Sequence, residues 1–250
     1  HHKRIPHTGT TVEDSQHYTA TPLARRMWRL MVAQANYADQ VIVPSQHFAD
    51  KLLAQGVTSP LTVLSNGLED SVLEAIGPAQ LRNYEPGTEF RLTWCGRVSP
   101  EKRPAALVQA ASEMVGDVVV QMFGDGVATK SVAAQIRRAG LSERVRMAGS
   151  VPQSTVIAGM QDSHAFISTS YDFDNQPMVL LEALATGLPV IVADPELGAE
   201  LPPGSVIVAA SPAPGDIARA VNQLVNAPQQ LREMSAAAIA HRSQTSQQTH

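Results

Sequence analysis

The chain contains one cysteine, Cys95, and aromatic residues make up only 4% of its length. A single cysteine excludes an internal disulfide and a cysteine metal cluster, and it fits a reducing compartment such as the cytosol. The formal net charge is -4 and no run of Lys or Arg is present, whereas general nucleic-acid binders display a basic surface. No apolar segment approaches the roughly 18 residues of a membrane span. We therefore expect a cytoplasmic protein without a nucleic-acid partner, and peripheral contact with the cytoplasmic face of a membrane stays open.

Apolar strands and helices alternate regularly through the rest of the sequence. With 250 residues, 44% of them hydrophobic, the chain can bury a sizeable core. Short apolar or β-branched segments predict strands at residues 91–95, 118–123, 145–147, 165–168, 189–193 and 205–208. The segments between them predict helices, several of which end at Gly. Strands that are apolar on both sides need cover on both faces, so the pattern predicts an α/β fold with a doubly wound, Rossmann-like parallel sheet.

The parts on either side of this alternation are shorter. The first part predicts two helices and two strands in turn, namely a helix from Pro22, a strand at 41–44, a helix capped by Ser45 and a strand from Leu61. Residues 71–88, rich in Gly, Pro and polar residues, predict a loop or a hairpin-like insertion. The last part predicts two helices broken at Pro228.

One carboxylate, Glu182, lies in the middle of an almost wholly apolar helical segment. Pro177 stands in the first turn of this helix, with Asn175 or Gln176 available as its cap. A carboxylate on an apolar helix is costly unless it is paired or hydrogen-bonded. Two interpretations stay open: an internal salt bridge or cap contact, and an acceptor for the hydroxyl groups of a ligand. The start of the same helix offers free N–H groups to an anion such as phosphate.

Glycines and basic residues follow two of the predicted strands. Gly96 and Arg97 come directly after the strand at 91–95, and Lys102 follows a few residues later. At the carboxyl end of a parallel strand, Gly allows close approach of the backbone and two cations can meet a diphosphate; a solvated polar loop is the alternative. After the next strand, Gly124 begins a Gly-Asp-Gly turn, which is a weak phosphate signal because tight turns use Gly anyway.

The residues that could hold a metal are few. Asp172 and Asp174 have a spacing that can bind Mg²⁺ or Mn²⁺, but none of the eight His residues has the helical spacing of a zinc site. We therefore expect no metal and no cofactor. The basic cluster Arg25, Arg26 and Arg29 is compatible with an anionic membrane face, and equally with an ordinary solvated helix face.

Six segments, taken in order, resemble the retaining GT-B glycosyltransferases that use nucleotide-sugar donors, of the group 1 type. They are VIVPSQHFADKL, LTVLSNGLE, LTWCGRVSPEKRPAALVQAASEM, VVVQMFGDG, RVRMAGSVP and FISTSYDFDNQPMVLLEALATGLPVIVAD. Together they cover most of residues 41–210, the part that is similar to the donor-binding C-terminal domain of that family. The resemblance implies an enzyme that moves a sugar from a nucleotide-sugar donor to an acceptor glycan, lipid or protein.

The same resemblance implies roles for individual residues. In the family two acids with seven residues between them frame the donor, and Asp174 and Glu182 stand at that spacing. Glu182 would accept the ribose hydroxyls and Asp174 the hydroxyls of the transferred sugar. Arg97 and Lys102 would neutralise the leaving diphosphate. The nucleotide would also lie against the backbone of Gly96, Gly124, Gln176, Pro177, Met178 and Val179, with its base near Gly149 to Val151.

Two departures from the family pattern keep other functions in view. The first acid is Asp174 where the family usually has Glu, and most of the family's N-terminal domain has no counterpart here. The resemblance assigns 1–43 to a remnant of that domain, with His7 near the sugar, 44–241 to the donor domain and 242–250 to a polar tail. We expect a truncated form, inactive by itself. The alternatives are a non-catalytic nucleotide-sugar-binding partner subunit and, with fewer supporting groups, a sugar-nucleotide epimerase.

Overall fold

The computed structural model describes residues 22–245, which form two compact units divided between Asn66 and Gly67. The elements of the first unit are α1 (Pro22–Ala35), β1 (Val41–Val43), α2 (Gln46–Ala54) and β2 (Leu61–Val63). Strands β1 and β2 pair in parallel, and the Ser45 hydroxyl caps α2 by accepting from Phe48 N, as its sequence predicts. The domain boundary predicted after residue 43 stays a prediction. The division into compact units does not show which residues correspond to the N-terminal domain of the family and which to its donor domain.

The second unit contains the regular alternation. Its strands are β3 (Phe90–Cys95), β4 (Val118–Phe123), β5 (Val145–Gly149), β6 (Ala165–Ser168), β7 (Val190–Val192) and β8 (Val206–Val208). Its helices are α3 (Asp70–Ile76), α4 (Pro104–Ala111), α5 (Thr129–Arg138), α6 (Gln153–Gln161), α7 (Met178–Ala185), α8 (Pro195–Ala199), α9 (Pro214–Asn226) and α10 (Pro228–Ala240). All six predicted strands are present within a residue or two, and the break at Pro228 is confirmed.

The six strands form one sheet in the order β5-β4-β3-β6-β7-β8, and every neighbouring pair is parallel. The chain leaves β3 towards one side of the sheet, returns to the middle at β6 and continues towards the other side. Such a reversal is the topological switch point of a doubly wound sheet, and ligands bind outside the carboxyl ends of the strands beside it. The predicted doubly wound, Rossmann-like α/β fold is therefore confirmed.

The sheet is buried on both faces. Leu92, Val120, Ile167 and Val190 have almost no exposed surface, and two large apolar clusters form where helices cover the strands. Apolar residues on both sides of a strand can be buried only in this arrangement. The sheet is thus a rigid base whose carboxyl edge can hold side chains in fixed positions.

Two elements differ from their predictions. Residues 70–76, predicted as loop or hairpin, form α3, whose Ile76 packs with Ile157 and Leu181 of α6 and α7. A helix of seven residues is too short to be stable alone or to show a clear period, so this packing stabilises it. The helix predicted from Pro22 has a pattern that continues to Gln40, but α1 ends at Ala35; the next residue, Asn36, accepts a hydrogen bond from Thr58 N at 2.7 Å through its side chain.

Candidate functional site

A cavity of about 200 Å³ lies at the carboxyl edge of the sheet. Its walls come from the chain just after β3, β4 and β5 and from the start of α6. They consist of Cys95, Gly96, Arg97, Phe123, Gly124, Asp125, Ser150, Val151 and Val156. The topology brings these residues to one edge, because parallel strands all end there. Three predicted site residues, Gly96, Arg97 and Gly124, therefore lie around one space.

Close approach of two turns explains one of these glycines. Gly124 has φ +126°, and a Cβ there would lie 1.9 Å from Gly96 O; its N–H donates to Gly149 O at 2.8 Å. At Gly96 a Cβ would meet only ordinary contacts, the nearest being Trp94 at 3.7 Å. Gly124 is thus required by the packing of backbone on backbone, as the alternative interpretation of the turn holds. The packing around Gly96 does not require glycine at that position.

Lys102 and Asp174, predicted to bind different parts of a ligand, contact each other directly. Lys102 Nζ donates to Asp174 Oδ1 at 2.6 Å and to Oδ2 at 2.8 Å. The side chains are 20% and 11% exposed respectively, and Nζ also lies 5.6 Å from the centre of the Phe173 ring. The main chain of Lys102 is held as well, since the buried Thr169 hydroxyl donates to Lys102 O at 2.7 Å. The pair is therefore a partly buried ion pair in a fixed frame.

Glu182 lies on α7, half-buried. Its Oε1 accepts a hydrogen bond from Gln153 Nε2 at 2.6 Å, and among residues 22–245 the structure describes no donor to Oε2. Burial raises the pKa of this carboxyl, and the Gln153 bond opposes part of that rise. Glu182 therefore makes an internal hydrogen bond, as one interpretation of the sequence predicts. Its other carboxylate oxygen remains available to accept a hydrogen bond from a ligand.

The charges of Glu182 and Lys102 both act on the thiol of Cys95. Burial raises the pKa of the Cys95 thiol to about 11; the Glu182 charge raises it further and the Lys102 charge lowers it. Both charged groups therefore lie within electrostatic reach of the end of β3. The thiol itself stays protonated at neutral pH, so it is a small apolar wall of the cavity and no nucleophile.

The two ends of α7 make different contacts. Pro177 is the N-cap residue of α7 and has no side-chain hydrogen bond to the helix, so the prediction of Asn175 or Gln176 as the N-cap residue is wrong. At the other end, Arg82 Nη2 donates to Thr186 O at 2.9 Å and Arg242 Nη1 donates to Ala185 O at 2.7 Å. Cations thus meet the negative end of the helix dipole. The positive end, at Met178 and Val179, is suited to an anion.

The second predicted cation, Arg97, lies in a different environment from Lys102. Its side chain is 51% exposed and Nη1 is 3.8 Å from Glu101 Oε1. The loop beneath it is fixed by Ser99, whose hydroxyl donates to Glu101 Oε1 at 2.7 Å. Arg97 is therefore the more exposed of the two cations, whereas Lys102 shares its charge with Asp174.

Asp194 was missed by the sequence reasoning although it orders the loop that carries Asp174. It is the buried N-cap residue of α8, and its Oδ2 also accepts from Asp172 N at 2.8 Å. The Asp-Pro pair at 194–195 is a cap signal that could have been read. Its second contact joins residues 22 apart and leaves no local signature.

Some predictions lie outside what this site shows. His7 lies outside the described residues. In the described part of the chain, no group of three or more His, Cys, Asp or Glu side chains could hold a metal ion, and Asp174 is turned to Lys102. None of the helices within 22–245 is long and apolar enough to cross a membrane. Arg25, Arg26 and Arg29 are exposed on α1, which suits either interpretation of that cluster.

Curated relatives match more than half of the chain. The lipopolysaccharide 1,6-galactosyltransferase of Salmonella typhimurium is 28% identical over 163 residues, covering 63% of this chain and 44% of the relative. The D-inositol 3-phosphate glycosyltransferase 2 of Catenulispora acidiphila is 29% identical over 164 residues, covering 60% of this chain and 38% of the relative. The chain therefore spans less than half the length of these curated relatives.

Solved structures of similar fold contain nucleotides. Anabaena HepE in complex with UDP and glucose has a TM-score of 0.76 and 22% identity, covering 94% of this chain and 66% of that one. S. aureus TarM, in a complex that includes UDP, has a TM-score of 0.73 and 21% identity, covering 100% and 47%. At these identities the likeness is one of fold, the GT-B fold. The family model described as Glycosyl transferases group 1 matches residues 81–241, so the chain belongs to that family.

Proposed function

We propose that this chain supplies the donor site of a retaining glycosyltransferase, which moves a hexose from a nucleoside-diphosphate sugar to an acceptor hydroxyl. The observation that carries the proposal is the meeting of three features at one edge: the half-buried carboxylate of Glu182, the ammonium of Lys102 and the start of α7, whose N-cap residue Pro177 supplies no side-chain hydrogen bond. A ribose needs an acceptor for its hydroxyls, and a diphosphate needs cations and backbone N–H groups.

Glu182 would hold the ribose. Gln153 supplies one hydrogen bond to Oε1, so the remaining acceptor capacity can take the two ribose hydroxyls. These donors would replace the water that burial removes and would stabilise the ionised form. Since burial raises the pKa of Glu182, nucleotide binding should lower that pKa towards its ordinary value.

Lys102, Arg97 and the start of α7 would hold the diphosphate. When the bond between the sugar C1 and the phosphate oxygen lengthens, negative charge grows on the diphosphate and positive charge on the sugar. Fixed donors stabilise that growing charge, and removing one such donor typically costs about 2.7–4 kcal/mol, or 10²–10³ in rate. The proposal meets the leaving charge with these groups and does not call for a metal ion or a cofactor.

Asp174 lies where it could accept hydroxyls of the transferred sugar, beside Lys102. In a retaining reaction the departing phosphate oxygen takes the proton of the acceptor hydroxyl on the face from which it left, so no protein nucleophile is required. The bond from C1 to the phosphate oxygen breaks, and a bond from C1 to the acceptor oxygen forms.

The relatives help to choose the first donor and acceptor to test. The HepE structure contains UDP and glucose, which supports UDP-hexoses as the first donors. The curated relatives are named for a lipopolysaccharide and for D-inositol 3-phosphate. The first of these supports a glycan or lipid acceptor, which is the acceptor class to test first. A lipid acceptor would suit peripheral contact at the cytoplasmic membrane face, for which the arginines of α1 are candidates.

The first test is binding to this chain. Melting temperatures are measured with UDP, GDP and ADP, since a ligand at 100 times its Kd adds about 2.7 kcal/mol. Calorimetry then compares the best binder on the wild type, Lys102→Ala and Glu182→Gln. We expect each variant to lose about tenfold to a hundredfold in affinity, the range for a hydrogen bond to a charged group. Wild-type affinity in both folded variants would falsify the assigned site.

A second candidate function is a non-catalytic subunit that binds a nucleotide sugar. It is favoured by the Lys102–Asp174 ion pair, in which both carboxylate oxygens of Asp174 are already engaged. The two functions separate in an assay of a full-length version with UDP-hexoses and glycan or lipid acceptors. Transfer of the sugar supports the enzyme, and tight donor binding without transfer supports the subunit.

A further inference from the structure

One buried carboxylate, Asp194, holds two neighbouring parts of the carboxyl edge together. Its Oδ1 accepts from Glu196 N at 3.0 Å and from Leu197 N at 3.5 Å, which caps α8. Its Oδ2 accepts from Asp172 N at 2.8 Å, in the loop between β6 and α7. The side chain is 4% exposed. The carboxylate thus has two separate tasks, one for each oxygen.

The pairing of the strands explains how Asp194 reaches this loop. Ser168, the last residue of β6, is the register partner of Val192, the last residue of β7. Asp194 stands two residues past the end of β7, and Asp172 stands four residues past the end of β6. The short turn after β7 therefore supplies the partner for the longer turn after β6.

The hydrogen bond is made to a residue in an unusual conformation. Asp172 has φ +46°, in the left-handed region that residues other than Gly adopt uncommonly, Asn, Asp and His more readily than the rest. Two residues further on, Asp174 turns back to Lys102 and is 11% exposed. Loss of the contact to Asp194 would remove one of the constraints that hold Asp172 at positive φ, and with it a constraint on the position of Asp174.

We propose that Asp194 is a positioning residue for the sugar: through Asp172 it fixes the loop that presents Asp174. This rests on the proposed function, because Asp174 is taken to meet the sugar part of the donor. Asp194 itself need not touch the ligand. Its loss should weaken the contribution of the sugar to donor binding and leave the contribution of the diphosphate, which other groups hold.

The variant that separates the two tasks is Asp194→Ser. Serine is a good N-cap residue, so α8 keeps its cap, but its single, shorter oxygen cannot also reach Asp172. Asp194→Ala removes both tasks. Ser45→Ala removes a comparable cap from α2 in the first unit, and it is the control for the loss of a cap alone.

The first readout needs no ligand. Hydrogen exchange of the Asp172 amide should become at least tenfold faster in Asp194→Ser, while the amide of Ile167 in β6 stays at its wild-type rate. Wild-type exchange at Asp172 in this variant would overturn the proposal, whatever the ligand is.

The second readout is calorimetry with UDP and UDP-glucose on the same chain. In Asp194→Ser the ratio of the two Kd values should shift about tenfold towards UDP, with the Kd for UDP no weaker than in the wild type. Adding Asp172→Gly should restore most of the ratio, because Gly adopts positive φ without help. If Gly restores nothing, Asp194 acts only as a cap and the proposal fails. If the wild type binds none of UDP, GDP or ADP, the proposed function fails instead, and the exchange result still decides the role of Asp194.

Discussion

The two edges of the six-stranded sheet both bury charged groups, yet they use them differently. At the amino edge, Arg82 is 6% exposed and donates to the main-chain oxygens of Gln161 and Thr186, at the ends of two helices. At the carboxyl edge, Lys102 and Glu182 contact side chains, and one oxygen of Glu182 has no described donor. The amino edge is closed by its own backbone, whereas the carboxyl edge keeps capacity for a ligand.

A shifted pKa therefore does not separate a binding site from a structural site. Burial lowers the pKa of Arg82 to about 10 and that of His164 to about 4 at the amino edge. At the carboxyl edge burial raises the pKa of Glu182. The kind of partner differs between these groups: Arg82 donates to main-chain oxygens, which are fixed in place, whereas Lys102 and Glu182 contact side chains, which can exchange partners.

The largest expected effect is on stability at the amino edge. Arg82→Met leaves the oxygen of Gln161 without its donor and removes one of two donors from the oxygen of Thr186, which also accepts from Gln80 N. Since a buried group left unpaired costs roughly 1–3 kcal/mol, we expect the free energy of unfolding to fall by about that amount, with little change in nucleotide affinity. Urea denaturation and calorimetry on the folded fraction measure the two quantities.

Lys102→Met is the matched control at the carboxyl edge, with the same new side chain. In this variant we expect a small loss of stability, about 1 kcal/mol, as for a partly exposed ion pair. We expect it to lose most of its affinity for the diphosphate. Equal losses of stability and of affinity in both variants would erase the distinction between the edges.

The sequence shows the fold more completely than it shows the site. The strands are visible because each is apolar throughout, and Glu182 stands out because a carboxylate on an apolar helix is costly. The helix α3 is not visible, since its seven residues depend on packing against α6 and α7.

The contacts within the site could not be read from the sequence for a similar reason. Lys102 and Asp174 are 72 positions apart, and Gln153 and Glu182 are 29 apart. No local pattern links such residues, so only the order of the strands brings them together. The sequence thus predicts which residues have unusual chemistry, and the topology decides which of them meet.

A smaller effect concerns the competition for Lys102. Asp174→Asn removes the negative charge that now neutralises Lys102 and keeps the shape of the side chain. We expect UDP to bind about fivefold more tightly, equivalent to about 1 kcal/mol, because the diphosphate no longer displaces a carboxylate. Calorimetry with UDP measures this change.

The matched control is Asp162→Asn, which removes a carboxylate paired with Arg91 at 2.9 Å at the amino edge. It should leave the affinity for UDP unchanged. Weaker binding to Asp174→Asn would mean that the diphosphate and Asp174 do not compete, and that the carboxyl edge is as closed as the other one.

The last contrast is a pH dependence of stability with opposite signs at the two edges. Burial first, and then the charges of Arg91 and Arg82, lower the pKa of His164 from 6.5 to about 4, against the opposing charge of Asp162. The neutral ring accepts from Arg91 N through Nδ1 at 2.9 Å. Its contribution to stability is therefore fully present above pH 6.5 and is lost as the pH falls towards 4.

Glu182, whose folded pKa is raised above 4.5, contributes stability below pH 4.5 that is lost as the pH rises.

His164→Asn tests the amino-edge half of this contrast, because the amide oxygen can still accept from Arg91 N but does not titrate. Its stability at pH 7 should be lower, since the ring contacts with Tyr84 and Phe90 are lost, yet the further loss between pH 6.5 and 4 should be smaller than in the wild type. Glu182→Gln should show the opposite change, losing less stability than the wild type as the pH rises from 4.5. Urea denaturation at several pH values gives both slopes. Parallel curves for the wild type and both variants would show that neither group carries the dependence, and that the charges buried at the two edges contribute alike.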